Sequence, residues 1–300
     1  MKATVETMES ESLTDRSAWS VFSDLVKLRL TTLVLLTTLA GFYLATTEGL
    51  QVGLLLHTMV GTALLACGSS VLNQYLERHH DSLMRRTEDR PLPAGLMHPV
   101  RALWFGILLS ITGCFYTWFL VNLLTCVLGT LTLALYIFVY TPLKRLTSFN
   151  TVVGAIPGAL PPLMGWTAVR GSLDPGGWSL FLILFLWQLP HFLAIAWMYK
   201  EEYGAAGYVM LPNVDPSGKK TARHALAYAI FLLPCSLLPV HFGVAGSLYA
   251  VGAAVLGAGF IWQAIKFSSA LDRTRARHLF FYSIIYLPLL LLLMTFDKAF

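Results

Sequence analysis

Apolar runs of about bilayer length recur along this chain from residue 25 almost to its end. They predict membrane spans at 25–45, 53–76, 102–120, 122–141, 151–169, 177–198, 224–242, 245–267 and 279–296. None alternates as a barrel strand does, and backbone groups in hydrocarbon need partners within their own segment, so the spans are expected to be helices. The expected fold class is all-α: a polytopic membrane protein of about nine transmembrane helices. Residues 1–24 are polar and carry Glu6, Glu9, Glu11, Asp15 and Asp24. They lack the apolar core and basic start of a signal peptide and read as a mobile tail. The chain therefore divides into a tail, 1–24, and a membrane domain, 25–300.

Composition agrees with lipid as the solvent. Hydrophobic residues make up 56% and charged residues 12%, against about 25% charged in soluble domains. The net charge of +5 is not a nucleic-acid footprint, and no nucleic-acid partner is expected. Cys67, Cys114, Cys126 and Cys235 lie in apolar runs without a close ligand spacing, as buried small residues do. The cations are unevenly placed. Lys27, Arg29, Arg78, Arg85, Arg86, Arg90, Arg101, Lys144, Arg145, Lys200, Lys219, Lys220, Arg223, Lys266, Arg273, Arg275 and Arg277 fall on one side, whereas Arg170 and Lys298 fall on the other. The positive-inside rule puts the first group and the N-terminus in the cytoplasm, and the C-terminus outside. A bacterial inner membrane is the location assumed.

Two cytoplasmic loops, 77–101 and 199–223, are long and rich in acids, Arg, Tyr and Pro, which favours function over filler. At the start of the first, Asn73, Glu77 and Asp81 are spaced four apart and share one helix face. An amide oxygen and two carboxylates suit Mg²⁺ completed by water and substrate phosphates. Arg85, Arg86 and Arg90 follow, and guanidinium groups take phosphate in forked geometry. A solvated helix end with local ion pairs competes with that reading. It does not account for Asn73 and Gln74 at membrane depth. In the second loop Lys200, Glu201, Glu202 and Tyr203 again bring acids to a cation, and an ordinary amphipathic loop accounts for them as well. Lys144 and Arg145 suit either phosphates or anionic lipid headgroups. The Gly/Pro-rich span containing Pro157, Pro161 and Pro162 should be kinked and closely approached. His191 sits inside a span, where a satisfied histidine and a functional one are equally open readings.

Taken together the motifs resemble those of the protohaem IX farnesyltransferases, a family of the intramembrane, UbiA-type prenyltransferase superfamily. The matching stretches are Asn73 to Asp81, Met84-x-Arg86-Thr87-x-x-Arg90-Pro91-Leu92, and Tyr140-Thr-x-x-Lys144-Arg145-x-Thr147-x-x-Asn150. They continue with Gly158 to Trp166, Trp187-x-x-Pro190-His191-Phe192, and Glu202-Tyr203-x-x-Ala206-Gly207-x-x-Met210-Leu211-Pro212. Glu77 and Glu202 stand where the family often has Asp, so each carboxylate reaches one methylene further. The resemblance implies nine helices around a central cavity. It implies transfer of the farnesyl group of farnesyl diphosphate to haem b, giving haem O, with Mg²⁺ as cofactor. It places Asn73, Glu77, Asp81 and Glu202 at the metal and in catalysis, and Arg86, Arg90, Lys144, Arg145, Lys200 and Tyr203 at the diphosphate. It gives His191 a haem contact. Besides membrane lipids, a haem A synthase or a terminal oxidase assembly would be the partner of such a product. An aromatic quinone precursor as acceptor, or a secondary transporter, are the alternatives. A transporter should carry its polar groups near mid-membrane rather than at one face.

Overall fold

The computed structural model describes residues 16–299. Up to Asp15 the expected tail lies outside the described residues; beyond it the chain is already ordered. Helix α1 (Ala18–Leu25) starts with the Ser17 side chain accepting from the Ser20 N–H. Nine helices among the described residues are long and apolar enough to cross a membrane. They are α2 (Leu28–Ala45), α3 (Val52–Asp81), α4 (Pro99–Leu120), α5 (Leu123–Leu143), α6 (Asn150–Arg170) and α7 (Pro175–Met198). After short α8 (Lys200–Ala205) and α9 (Leu211–Val214) come α10 (Lys219–His241), α11 (Ser247–Ala270) and α12 (Arg273–Phe296). The hydrophobic pattern therefore locates every span. Its boundaries shift where a helix runs on past its apolar stretch: α3 reaches Asp81 rather than residue 76, and α10 and α12 start in basic turns at Lys219 and Arg273.

Helices α6 and α7 are the centre of the bundle, with 67% and 56% of their apolar windows buried against 22–39% in the others. Helix α6 packs on α2 and α5, and α7 packs on α10 and α12. Outward faces keep large apolar side chains exposed, among them Phe119, Phe138 and Val255, as lipid contact requires. Pro157, Pro161 and Pro162 sit within α6, which nevertheless continues as one helix. The Gln188 amide, from α7, donates to the Ala155 carbonyl at 3.4 Å and to the Leu184 carbonyl at 3.0 Å. Inside the α7–α10–α11–α12 core the buried hydroxyls are satisfied. Tyr286 meets Ser236 at 2.8 Å, and Tyr249 donates to the Ser236 carbonyl at 2.7 Å.

Close approach of α2 and α6 depends on glycine. A β-carbon on Gly41 would overlap the Pro162 carbonyl, and one on Gly165 would overlap the Thr38 carbonyl. Backbone cannot yield as a side-chain tip can, so Gly165→Ala is expected to lower stability by about 1–3 kcal/mol. Gly53→Ala, where a methyl meets open space, should leave it unchanged. Thermal unfolding of both variants in detergent checks the pair; equal midpoints would overturn the packing account.

Candidate active site

The last two turns of α3 carry polar groups that hydrocarbon would not tolerate. Asn73 is 0% exposed, Glu77 5% and Asp81 1%, and each meets a cation from a different part of the chain. Lys27 Nζ donates to Asn73 Oδ1 at 2.7 Å. Lys144 Nζ donates to Glu77 Oε1 at 2.6 Å, and Arg90 Nη1 to Asp81 Oδ2 at 2.7 Å. A buried charge is stable only when paired and hydrogen-bonded, so these contacts fix the local fold. Burial alone would push the Lys144 ammonium down; the Glu77 carboxylate, aided by nearby tyrosines, outweighs it and holds Lys144 well above the usual lysine range. At Lys27 burial wins, reinforced by Arg90 and only partly opposed by Glu77, and its pKa falls to about 7.

Local backbone presents these groups. Lys27 caps α2 in a left-handed conformation, φ 50° and ψ 53°, which a non-glycine residue adopts at a cost. Gln74 holds the preceding turn by donating to the Asp24 and Leu25 carbonyls at 2.7 and 2.8 Å. In α5 the stretch Leu135–Tyr140 widens into a π-helical turn, a feature often found where a helix serves a site. It turns Tyr136 and Tyr140 into the same cavity, and Thr141 links back to α3 by accepting from the Asn73 amide at 3.1 Å. The 199–210 segment closes the other side. Tyr203 Oη accepts from Arg86 Nη2 at 3.0 Å, Val209 N–H donates to the Lys144 carbonyl at 2.7 Å, and Asn150 Nδ2 donates to the Val209 carbonyl at 2.8 Å.

The result is a cavity of about 190 Å³. Lys27, Arg86, Arg90 and Lys144 line it together with Glu77 and Asp81; four basic side chains against two carboxylates leave a positive cavity, +2 with Lys27 protonated and +1 once it loses its proton near pH 7. Tyr136, Tyr140, Phe192, Ile195 and Ala196 form an aromatic and apolar wall beside them. Of the expected site residues, Asn73, Glu77, Asp81, Arg86, Arg90, Lys144 and Tyr203 meet here. The other four are placed elsewhere. Arg145 is exposed and faces His80 Nε2 at 3.3 Å. Lys200 lies over the Trp197 ring at 4.8 Å, because Tyr199 breaks the helix between α7 and α8 and turns it away. His191 is hydrogen-bonded to Ser283 at 2.7 Å and stacked on Trp187 and Phe280; its neighbour Phe192 takes the cavity wall instead. Glu202, on α8, does not line the cavity, yet its Oε2 is buried without a hydrogen-bond partner.

Tyr140 and Asn150, which belong to the motif around Lys144, also line the cavity, as do Lys27, Tyr136 and Tyr208, whose sequence context does not single them out as site residues. For Lys27 the sequence signal is a cation at the very start of the first apolar run. The tyrosines look like ordinary interfacial aromatics. Among the described residues no group of three or more His, Cys, Asp or Glu side chains forms a metal cage. The donor set of Asn73, Glu77 and Asp81 still fits Mg²⁺ of the kind that brings water and phosphate oxygens with it. The orphaned Glu202 oxygen, one residue before cavity-lining Tyr203, is a further oxygen donor in that neighbourhood.

Residues 34–285 match the model of the UbiA prenyltransferase family. The chain is 47% identical to a protohaem IX farnesyltransferase of Solibacter usitatus, covering 92% of this chain and 98% of that one. It is 46% identical to the enzyme of the same name from Salinibacter ruber, over 91% and 96% of the two chains. Among solved structures, that of a digeranylgeranylglyceryl phosphate synthase has the same fold at 17% identity, with a TM-score of 0.79 over 93% of this chain and 98% of the other. A UbiA homologue from Archaeoglobus fulgidus bound to DMAPP and Mg²⁺ aligns with a TM-score of 0.63 at 14% identity, over 90% and 99%. With its nine spans, its polar cavity at one end of the bundle and these relatives over nearly its whole length, the chain belongs to the UbiA prenyltransferase family, among the protohaem IX farnesyltransferases.

Proposed function

We propose that the chain transfers the farnesyl group of farnesyl diphosphate to a vinyl group of haem b, giving haem O for terminal oxidases. The observation that carries this reading is the meeting of Asn73, Glu77 and Asp81 with four cations in one cavity, walled on one side by aromatic and apolar groups. The near-full-length identity to protohaem IX farnesyltransferases supports the choice of acceptor. Asn73, Glu77 and Asp81 would hold Mg²⁺ with the diphosphate, and Glu202 would add its unpartnered carboxylate. When bound, the metal draws charge from the diphosphate and so favours its departure. Lys27, Arg86, Arg90 and Lys144 surround the same space and stabilise charge as it develops on the leaving oxygens. The C–O bond breaks with its electron pair going to the diphosphate, leaving an allylic farnesyl cation. Tyr136, Tyr140 and Phe192 exclude water from that cation until the vinyl carbon attacks. Water then adds to the resulting cation and loses a proton, which yields the hydroxyethylfarnesyl group. The Lys/Arg-rich end of the bundle, with this cavity, faces the cytoplasm of a bacterial cell; the N-terminus lies on that side and the C-terminus outside. A haem A synthase or a terminal oxidase assembly is the protein partner that fits the product.

Asp81→Ala removes a buried carboxylate and leaves Arg90 unpaired. Haem O formation from labelled farnesyl diphosphate, Mg²⁺ and haem b should fall at least about 100-fold, and Asp81→Asn should fall similarly. Undiminished product would overturn the site. The cavity's own net positive charge also predicts an order of binding. Mg²⁺ alone should bind the full chain at least about tenfold more weakly than Mg²⁺ with pyrophosphate, a difference of about 1.4 kcal/mol. Titration calorimetry in detergent measures both, and equal affinity would mean that the acids form a metal site without the diphosphate.

A further inference from the structure

We infer that Tyr208 is a diphosphate-binding residue of this enzyme, its phenol donating a hydrogen bond to the leaving group. This inference rests on the diphosphate reading of the cavity given above. Tyr208 is 4% exposed and lines the cavity, and its hydroxyl is buried without a hydrogen-bond partner. An unpartnered buried hydroxyl is costly, and Tyr usually finds a partner when buried. The core tyrosines Tyr249 and Tyr286 follow that rule. Tyr208 does not, although its ring is firmly placed.

The placement is built by the local chain. Gly207 takes φ +75°, the left-handed region that glycine enters freely. The Tyr208 N–H closes the turn onto the Tyr203 carbonyl at 2.9 Å. The ring then packs 5.5 Å from His80 and 6.0 Å from Tyr203, centroid to centroid. Lys144 Nζ lies 5.8 Å from the same ring. The charges acting on the hydroxyl are those of Glu77, Lys144, Asp81 and Arg90, the groups that bracket the metal and phosphate. Burial, with Glu77 close by, raises its pKa and keeps the proton on the oxygen. A neutral, proton-bearing donor beside ammonium and guanidinium groups matches an anionic oxygen acceptor. A haem carboxylate would meet the same donor, but the neighbours that select the ligand here are the diphosphate set.

The test is Tyr208→Phe in the full chain, which keeps the ring and deletes the hydroxyl. Two quantities are read: the affinity for inorganic pyrophosphate with Mg²⁺ by titration calorimetry, and the thermal unfolding midpoint without ligand. Loss of a hydrogen bond to a charged oxygen should weaken pyrophosphate binding roughly tenfold or more. The ligand-free midpoint should stay level or rise, because no partner is lost in that state. In turnover, KM for farnesyl diphosphate should rise as well. Equal pyrophosphate affinity in variant and unsubstituted protein would overturn the assignment of Tyr208 alone. A lowered ligand-free midpoint would overturn it too, since the hydroxyl would then have a structural partner. No pyrophosphate binding by the unsubstituted protein would overturn the diphosphate site itself, and Tyr208 with it.

Discussion

Two buried carboxylates at the end of α3 constrain the rest of this molecule. Glu77 and Asp81 are 5% and 1% exposed, and an uncompensated charge at such a position costs several kcal/mol. Lys144 and Arg90 supply the compensation from two different loops, at 2.6 and 2.7 Å. The loops after α3 and α5 are therefore tied to one helix end by electrostatics, and the first of them also by the apolar burial of Met84 and Leu92. The segment after α7 is tied in turn to the Lys144 loop through backbone, by the Val209 N–H on the Lys144 carbonyl. Elements far apart in sequence converge because the acids need partners.

A second constraint comes from lipid. No water is at hand in the bilayer to satisfy backbone or side-chain polar groups. The spans answer with close helix contacts, such as α2 on α6 through Gly41 and Gly165, and with internal hydrogen bonds. That packing makes α6 and α7 a rigid centre on which the cavity wall of Phe192, Ile195 and Ala196 rests. Among the described residues, charged cavity residues sit at the ends of this centre, the acid and cation set at one end and Arg170, Asp174 and Lys298 at the other. A midplane transport site would require them halfway down the helices.

The spans were legible because about twenty apolar residues in succession have few structural uses besides crossing a bilayer. The shared helix face of Asn73, Glu77 and Asp81 was equally legible, since periodicity survives folding unchanged. Legibility failed wherever a tertiary decision intervened. The spacing of Lys200, Glu202 and Tyr203 gives no hint that Tyr199 ends α7 and that the three sit on the separate short helix α8, from which only Tyr203 reaches the cavity. His191 and Phe192 are neighbours, and sequence alone cannot choose which one faces inward. Lys27 reads as one more positive charge, because its entry into the site depends on a left-handed turn that no local residue preference encodes.

On the function proposed above, the same pairs that stabilise the cavity would also prepare it for a metal diphosphate. Each cation that now rests on an acid is placed within reach of the space a diphosphate would fill. A metal diphosphate brings cations to the acids and anions to Lys27, Lys144 and Arg90 at once. The exchange replaces one set of charge pairs with another, and neither charge is left bare at the start or the end. Neither ion alone offers that exchange. Bare Mg²⁺ meets a cavity of net positive charge. Bare diphosphate could engage the cations only by leaving Glu77 and Asp81 uncompensated. If the cavity takes a metal diphosphate as proposed, the arrangement would select the complex over its parts, through desolvation at the membrane end of one helix rather than through a dedicated metal cage.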